Sequence, residues 1–296
     1  MGENIFYIVD VFAESRYAGN QLAVFLSGHL HSDGEMQRLA RETNFSETTF
    51  ILPRESSGNT FRVRIFTPHQ EVPFAGHPTL GTAYIIIKEL LKKPVDSIVL
   101  DLKAGKIPVA AYYDSEGGLD RLVMQQLEPV FGEEMDRSLA ARILGLSGAD
   151  MDEKFPVREV STGLPVIIVP LKNLEAARRV RVDAGLFSSL FNSFKARGIL
   201  VFSPETYEEK NTLNVRGFFH HYGIPEDPAT GSAGGCLAGY LVKHRYFGTD
   251  SIDISVEQGY EIDRKSVLHL SASLEGGSYN IQVGGKVVPI ARCQLV

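Results

Sequence analysis

In the stretch "RETNFSETTFIL", residues 41–52, one carboxylate, Glu47, stands among Asn44, Ser46, Thr48 and Thr49, where a helical pattern gives way to a strand pattern. An isolated glutamate is most often a solvated surface group, so this one matters only if other chemistry-bearing residues accompany it. Two later stretches supply candidates. "PFAGHPTLGTAYIII" and "EDPATGSAGGCLAGYL" each pass from a Gly-containing loop into an apolar helix, with His77 and Ser232 at equivalent helix-start positions. A helix start presents backbone N–H groups with no intrahelical acceptor, at the positive end of the peptide dipoles, so each start can hold an anion. The same residues can serve as plain N-caps, a role that suits serine better than histidine.

The elements around these residues follow from periodicity. "IFYIVDVF" and "NQLAVFL" read as an opening pair of strands. In "SDGEMQRLARETN", Ser32 and Glu35 form a capping-box pattern, Met36, Leu39 and Ala40 make one apolar face, and Asn44 can end the helix, so Glu47 begins the strand "ETTFIL". "FRVRIFTP" sets Phe61, Val63 and Ile65 against its arginines, as a half-buried strand requires. Pro78 suits a first helical position with His77 as N-cap, which predicts a helix over 78–92 that is apolar on almost every side and therefore buried all round. Strand patterns precede and follow it, which suggests a β-barrel wound around a central helix. The order of strand, Pro/Gly-rich loop and apolar helix recurs in "NVRGFFHHYGIPEDPATGSAGGCLAGYLVKH". Superposing Gly76 on Gly231 also pairs Glu71 with Glu226, Pro73 with Pro228 and Ala83 with Ala238, so an internal duplication is expected.

Composition narrows the function classes. A chain of 296 residues suits two domains, and 44% hydrophobic with 22% charged residues is the balance of a folded globular protein. The net charge of -6, without a dense Lys/Arg patch, argues against a nucleic-acid surface and leaves small molecules as the expected partners. The longest apolar run, around "LGTAYIII", is too short to span a membrane, and "MGENIFYIVDVF" does not read as a secretion signal. Cys236 and Cys293 are too few for a disulfide framework or a zinc site, which fits buried thiols in a reducing cytoplasm. His29 and His31 lie in a turn-like segment, and His220 and His221 fall on a strand pattern where neighbours point apart; neither pair has metal-ligand spacing. The glycines of "GSAGG" match no nucleotide-binding loop.

"NFSETTF", "FTPHQEVPFAGHPTLGTA", "STGLPVIIVPL", "EDPATGSA" and "EQGYEIDRKS", in this order across nearly the whole chain, resemble the successive motifs of the PhzF-like phenazine-biosynthesis isomerase family, relatives of diaminopimelate epimerase. The resemblance implies an α+β fold of two pseudo-symmetric domains, each a β-barrel wrapped around a central α-helix, with the active site between them. The bounds expected are 1–117 with 277–296 for the first domain and 118–276 for the second. It implies Glu47 as the catalytic acid/base, His77 and Asp227 beside it as catalytic residues, and Gly76, Gly231 and Ser232 as substrate-binding residues. No cofactor and no metal are implied, and a homodimer is the assembly the family often forms. The chemistry suits the residue types: moving a proton between two carbons needs a group that accepts and returns it, which one partly buried carboxylate can do. The sequence departs from the epimerase relatives in having Ala75 and Thr230 where they carry cysteines, and from the usual family pattern at Gln21, Lys265 and Cys293. These departures bear on the substrate. A protein that keeps the fold and binds a small ligand without catalysis is the alternative.

Overall fold

The computed structural model describes residues 4–53, 58–189 and 193–296; the first three residues of the stretch read for a secretion signal lie outside them. The fold is mixed α/β, with many strands and few helices. The chain forms two compact units, Met1–Gln125 with Gly284–Val296, and Gln126–Val283. Residue 117, where the sequence suggests the first boundary, falls in the turn before the strand Leu119–Gln125, which still belongs to unit 1.

Unit 1 opens with the antiparallel pair β1 (Ile5–Val11) and β2 (Asn20–Phe25). Helix α1 (Asp33–Thr43) follows. Its first turn is closed by the capping box: the Ser32 amide donates to Glu35 Oε2 at 2.8 Å and the Glu35 amide to Ser32 Oγ at 3.4 Å. Asn44 ends it in the left-handed region at φ 53°, which asparagine tolerates, and turns the chain so that β3 (Glu47–Ile51) starts at the glutamate. Next come β4 (Thr60–Phe66), the short β5 (Glu71–Val72), α2 (Gly76–Ile85, continued by a π-helical turn over Ile86–Leu91), β6 (Ser97–Leu102), β7 (Gly105–Tyr113) and β8 (Leu119–Gln125). β2 and β3 are parallel, β3 and β4 antiparallel, β4 and β5 a hairpin, β4 and β6 parallel, and β6, β7 and β8 antiparallel in turn. Helix α2 touches β1, β2, β3, β6 and β8. Leu80, Ala83, Ile85, Ile86 and Ile87 are buried there, and Gly81 leaves room for Leu22 and Val11, whose side chains come within 2.8 Å of where a Cβ would stand.

Unit 2 repeats this order of pairings. After β9 (Val130–Met135) and α3 (Arg137–Ile143) come β10 (Val157–Ser161), β11 (Pro165–Pro170), α4 (Leu174–Arg179), α5 (Ala184–Ser189), β12 (Ile199–Ser203), β13 (Leu213–Phe219), β14 (Ile224–Asp227), α6 (Gly231–Lys243), β15 (Ser251–Gln258), β16 (Ser266–Glu275) and β17 (Ser278–Gly285). β10 and β11 are antiparallel, β11 and β12 parallel, β12 and β13 antiparallel, β13 and β14 a hairpin, β13 and β15 parallel, and β15 and β16 antiparallel. Helix α6 is buried along nearly its whole length against β10, β11, β15 and β16, and its run of Gly, Ala and Ser lets the strands come close. The chain then returns to unit 1 as β18 (Val287–Gln294), antiparallel to β1 and in contact with α2.

The helix starts differ from the sequence reading. Ala75, in extended backbone, is the N-cap of α2, and Thr230 that of α6. Gly76 and Gly231 are the first helical residues, so His77 and Ser232 are the second and Pro78 the third. His77 is therefore not the N-cap. A proline fits the third position because the N–H it lacks would have had no partner in the first turn anyway. The second helix begins at Gly231.

Candidate active site

In unit 1 the residues converge on the start of α2. Glu47 Oε2 lies 3.4 Å from His77 Nε2, with the Glu47 side chain 15% and the His77 side chain 6% exposed. That distance would suit an ion pair, but burial pushes the imidazole down to about 3, so the ring is neutral and the contact is not one between opposite charges. His77 hydrogen bonds to the Gln21 backbone, and because Nε2 makes no hydrogen bond, Nδ1 makes that one. With its proton on Nδ1, the ring turns the Nε2 lone pair toward Glu47 and can accept a hydrogen bond from the carboxylic acid form of Glu47. The flanking threonines fix the strand: Thr48 Oγ1 is 2.8 Å from Thr43 Oγ1 at the end of α1, and Thr49 Oγ1 is 2.8 Å from Thr82 Oγ1 on α2. No side chain caps the first turn of α2.

In unit 2 the corresponding group sits at the start of α6. Asp227, buried at the end of β14, accepts a hydrogen bond from the Thr230 hydroxyl, so the N-cap side chain is turned away from the helix amides. The first turn, carrying Gly231 and Ser232, again has no side-chain cap. Cys236 is buried one turn further along, its Sγ 3.5 Å from Thr162 Oγ1 and 3.6 Å from the Leu164 carbonyl, and burial raises its thiol to about 11. The structure thus brings Glu47, Gly76 and His77 together, and separately Asp227, Gly231 and Ser232.

The sequence pattern that defines the phenazine biosynthesis-like protein family matches residues 9–292. The chain belongs to this family. A trans-2,3-dihydro-3-hydroxyanthranilate isomerase of Pseudomonas aeruginosa is 33% identical over 275 residues, covering 92% of this chain and 91% of its own. An isomerase of Mesorhizobium japonicum is 33% identical over 292 residues, covering 97% and 96%. The crystal structure of the Bacillus anthracis phenazine biosynthesis protein of the PhzF family superposes with a TM-score of 0.91 at 28% identity, over 100% of both chains. The protein is an isomerase.

Several residues of this isomerase's site region escaped the sequence reading. Arg64 on β4 grips Glu71 on β5 through two hydrogen bonds of 2.8 and 3.1 Å, and Arg216 on β13 grips Glu226 on β14 through two of 2.8 and 2.7 Å. Each guanidinium also lies over the phenylalanine two residues on, 5.0 Å from the Phe66 ring and 5.1 Å from that of Phe218. Each fork therefore pins the hairpin that leads into a site helix. The pairing of Glu71 with Glu226 in the sequence repeat was the signal that could have found them. Glu257, fully buried in "EQGY", accepts hydrogen bonds from the Tyr207 and Glu208 amides and the Asn211 and Asn214 side chains, so it serves the fold rather than the site.

The histidine pairs have structural surroundings. His31 packs edge-on to Phe25 and Phe50, and His220 and His221 lie in a 3-10 turn after β13 rather than on the strand, His220 against Phe187. Among the described residues no three His, Cys, Asp or Glu side chains gather as a metal ion would require, and no helix is long and apolar enough to cross a membrane.

Proposed function

We propose that this isomerase moves a proton between carbons of a small, carboxylate-bearing, possibly cyclic metabolite without a cofactor, with Glu47 as the general acid/base. The observation that carries the reading is the contact of Glu47 with a buried, neutral His77 at an uncapped helix start. A neutral imidazole at this distance can accept a hydrogen bond from the protonated carboxyl group, so Glu47 can hold a proton in a defined place before returning it. The amides of the first turn, from Gly76 and His77, are suited to stabilising negative charge that develops on the substrate as the proton leaves. Asp227 is proposed as the second catalytic carboxyl, and the amides at Gly231 and Ser232 as donors to a substrate anion. The two units are proposed to be the two domains of the family, each a β-barrel around its buried helix, α2 in one and α6 in the other, in a soluble cytoplasmic homodimer. The substrate named for the Pseudomonas aeruginosa relative, trans-2,3-dihydro-3-hydroxyanthranilate, is a cyclic carboxylate of this class and the first compound to test.

The test is deuterium incorporation from solvent into that compound, or into candidates from a metabolite screen. Glu47→Gln keeps size and hydrogen bonding but cannot exchange a proton, so turnover should fall by on the order of a hundredfold or more while the fold survives. Exchange by Glu47→Gln at the wild-type rate, on a compound the wild type turns over, would overturn the assignment.

A further inference from the structure

The motif "EQGYEIDRKS" has no part in the proposed proton transfer, yet its second residue touches the unit 2 group at three atoms. Gln258 ends β15 and is 1% exposed. Its Nε2 donates to the Asp227 carbonyl at 2.8 Å and to Thr230 Oγ1 at 3.1 Å, and its Oε1 accepts from the Thr230 amide at 3.1 Å. One side chain therefore spans both ends of the segment from Asp227 to Thr230, the segment that sets where the Asp227 carboxyl and the first turn of α6 stand. The Thr230 hydroxyl it touches is the one that donates to the Asp227 carboxylate.

The neighbouring glycines make room for this clamp. A Cβ on Gly217 would come within 3.1 Å of both Gln258 Nε2 and Thr230 Oγ1. Gly259, at φ +78°, lies so close beneath the Pro228 carbonyl that a Cβ there would stand 2.7 Å from its oxygen. In unit 1 the corresponding segment is tied differently: the Ala104 amide donates to the Pro73 carbonyl at 3.0 Å, and Thr79 Oγ1 donates to the Ala75 carbonyl at 2.8 Å from within α2.

We propose that Gln258 is a positioning residue that holds the Asp227 carboxyl and the Gly231–Ser232 amides in register for substrate. The proposal rests on the roles given above to Asp227, Gly231 and Ser232. Gln258→Leu keeps most of the volume and removes all three hydrogen bonds. Gln258→Met keeps the unbranched shape of glutamine, removes the same three hydrogen bonds, and serves if the leucine variant does not fold.

Amide hydrogen exchange read by mass spectrometry needs no substrate. In either variant the amides of residues 230–232 should exchange at least about tenfold faster than in the wild type, while peptides of β11 and β12 keep wild-type protection. Unchanged protection at 230–232 overturns the proposal, as does an equal loss throughout unit 2, which would mark general destabilisation. Solvent deuterium incorporation into trans-2,3-dihydro-3-hydroxyanthranilate then tests function. Gln258→Leu should lower kcat/KM about tenfold, and combining it with Asp227→Asn should cost no more than Asp227→Asn alone, because the two act as one unit. Losses that multiply overturn positioning. Wild-type kinetics in Asp227→Asn, with faster exchange at 230–232 in Gln258→Leu, would remove the role of Asp227 and leave the clamp standing.

Discussion

In unit 1 an Arg64–Glu71 fork leads into a helix whose first turn carries His77; in unit 2 an Arg216–Glu226 fork leads into a helix whose first turn carries Ser232. Strand pairings, fork, stacked phenylalanine and uncapped helix start recur, but the carboxyl beside each start arrives by a different route. Glu47 comes from the first residue of β3 and meets the side chain of His77. Asp227 comes from the hairpin strand just before the helix and is tied to Thr230 within its own loop. The duplicated parts are those that build a helix start; the parts that differ are those that would meet a substrate. A repeated scaffold can keep its backbone donors while each copy takes on a separate chemical role.

The forks test how far the two copies share their energetics. The Arg216 side chain is 4% exposed, donates also to the Ala177 carbonyl at 2.7 Å, and lies 3.7 Å from Glu261, whose carboxyl burial raises. Arg64 is 23% exposed, and its contact with Asp33 is open to solvent. Arg216→Met should therefore cost about 3–5 kcal/mol, because it leaves buried carboxylates without their cation. Arg64→Met should cost about 1 kcal/mol, because water screens what remains. Urea unfolding of the two variants measures the difference, and equal losses would mean that burial does not separate the forks.

The second comparison sets the two carboxyls against each other. Glu47→Gln should lower kcat by on the order of a hundredfold. Asp227→Asn keeps an acceptor for the Thr230 hydroxyl and should lower kcat/KM by about tenfold, with much of the change in KM. Steady-state rates on trans-2,3-dihydro-3-hydroxyanthranilate, or on the substrate found by screening, decide it. A larger kcat loss from Asp227→Asn would move the main proton transfer to unit 2.

Much of this was legible in the sequence because it depends on local pattern. The capping box of Ser32 and Glu35, the stop at Asn44 and the alternation of Phe61, Val63 and Ile65 are each written in a few adjacent residues, and each took the form expected. The helix start was misplaced by two residues because Pro78 looks like a first helical residue, whereas the burial of Gly76 and His77 beneath the strands carries the helix further back. The repeat pairs Glu71 with Glu226 but does not name their arginine partners, and the Gln258 clamp left no sequence signal. Arg216 and Glu226, or Gln258 and Asp227, meet only after the strands pair, and nothing in the run of residues between them announces the contact. Glu47 could be singled out from its neighbours, but its partner's neutrality could not, since that follows from burial.

That neutrality makes the two helix starts differ in their response to pH. His77 titrates at about 3 in the fold, against an ordinary value of 6.5 in the unfolded chain, so between these values the unfolded state binds the extra proton. The stabilising contribution is complete above pH 6.5 and is lost as pH falls toward 3, at up to about 1.4 kcal/mol per pH unit. Ser232 does not titrate in this range. His77→Asn can keep a donor toward the Gln21 carbonyl and removes the titration. Its unfolding free energy should fall less steeply than that of the wild type between pH 6.5 and pH 4. Parallel curves would show that His77 is protonated in the folded protein, and its contact with Glu47 would then be an ion pair.

The smallest effect is expected at the one thiol near either helix start. Ala75 and Thr230 precede the two site glycines, so neither start carries a sulfur where the epimerase relatives have one, and Cys236 lies a turn inside α6. There it is fully buried, raised to about 11 and packed against Thr162, so at neutral pH it is a thiol with no path to solvent. Cys236→Ala removes little volume and should cost no more than about 1 kcal/mol in stability, with turnover within about twofold of wild type. Iodoacetamide applied to the folded protein should leave Cys236 unmodified by peptide mass, whatever happens at the partly exposed Cys293. If Cys236→Ala instead lost turnover on the scale of Glu47→Gln, proton transfer would involve a thiol at α6, and the division of labour between the two helix starts would have to be redrawn around the sulfur.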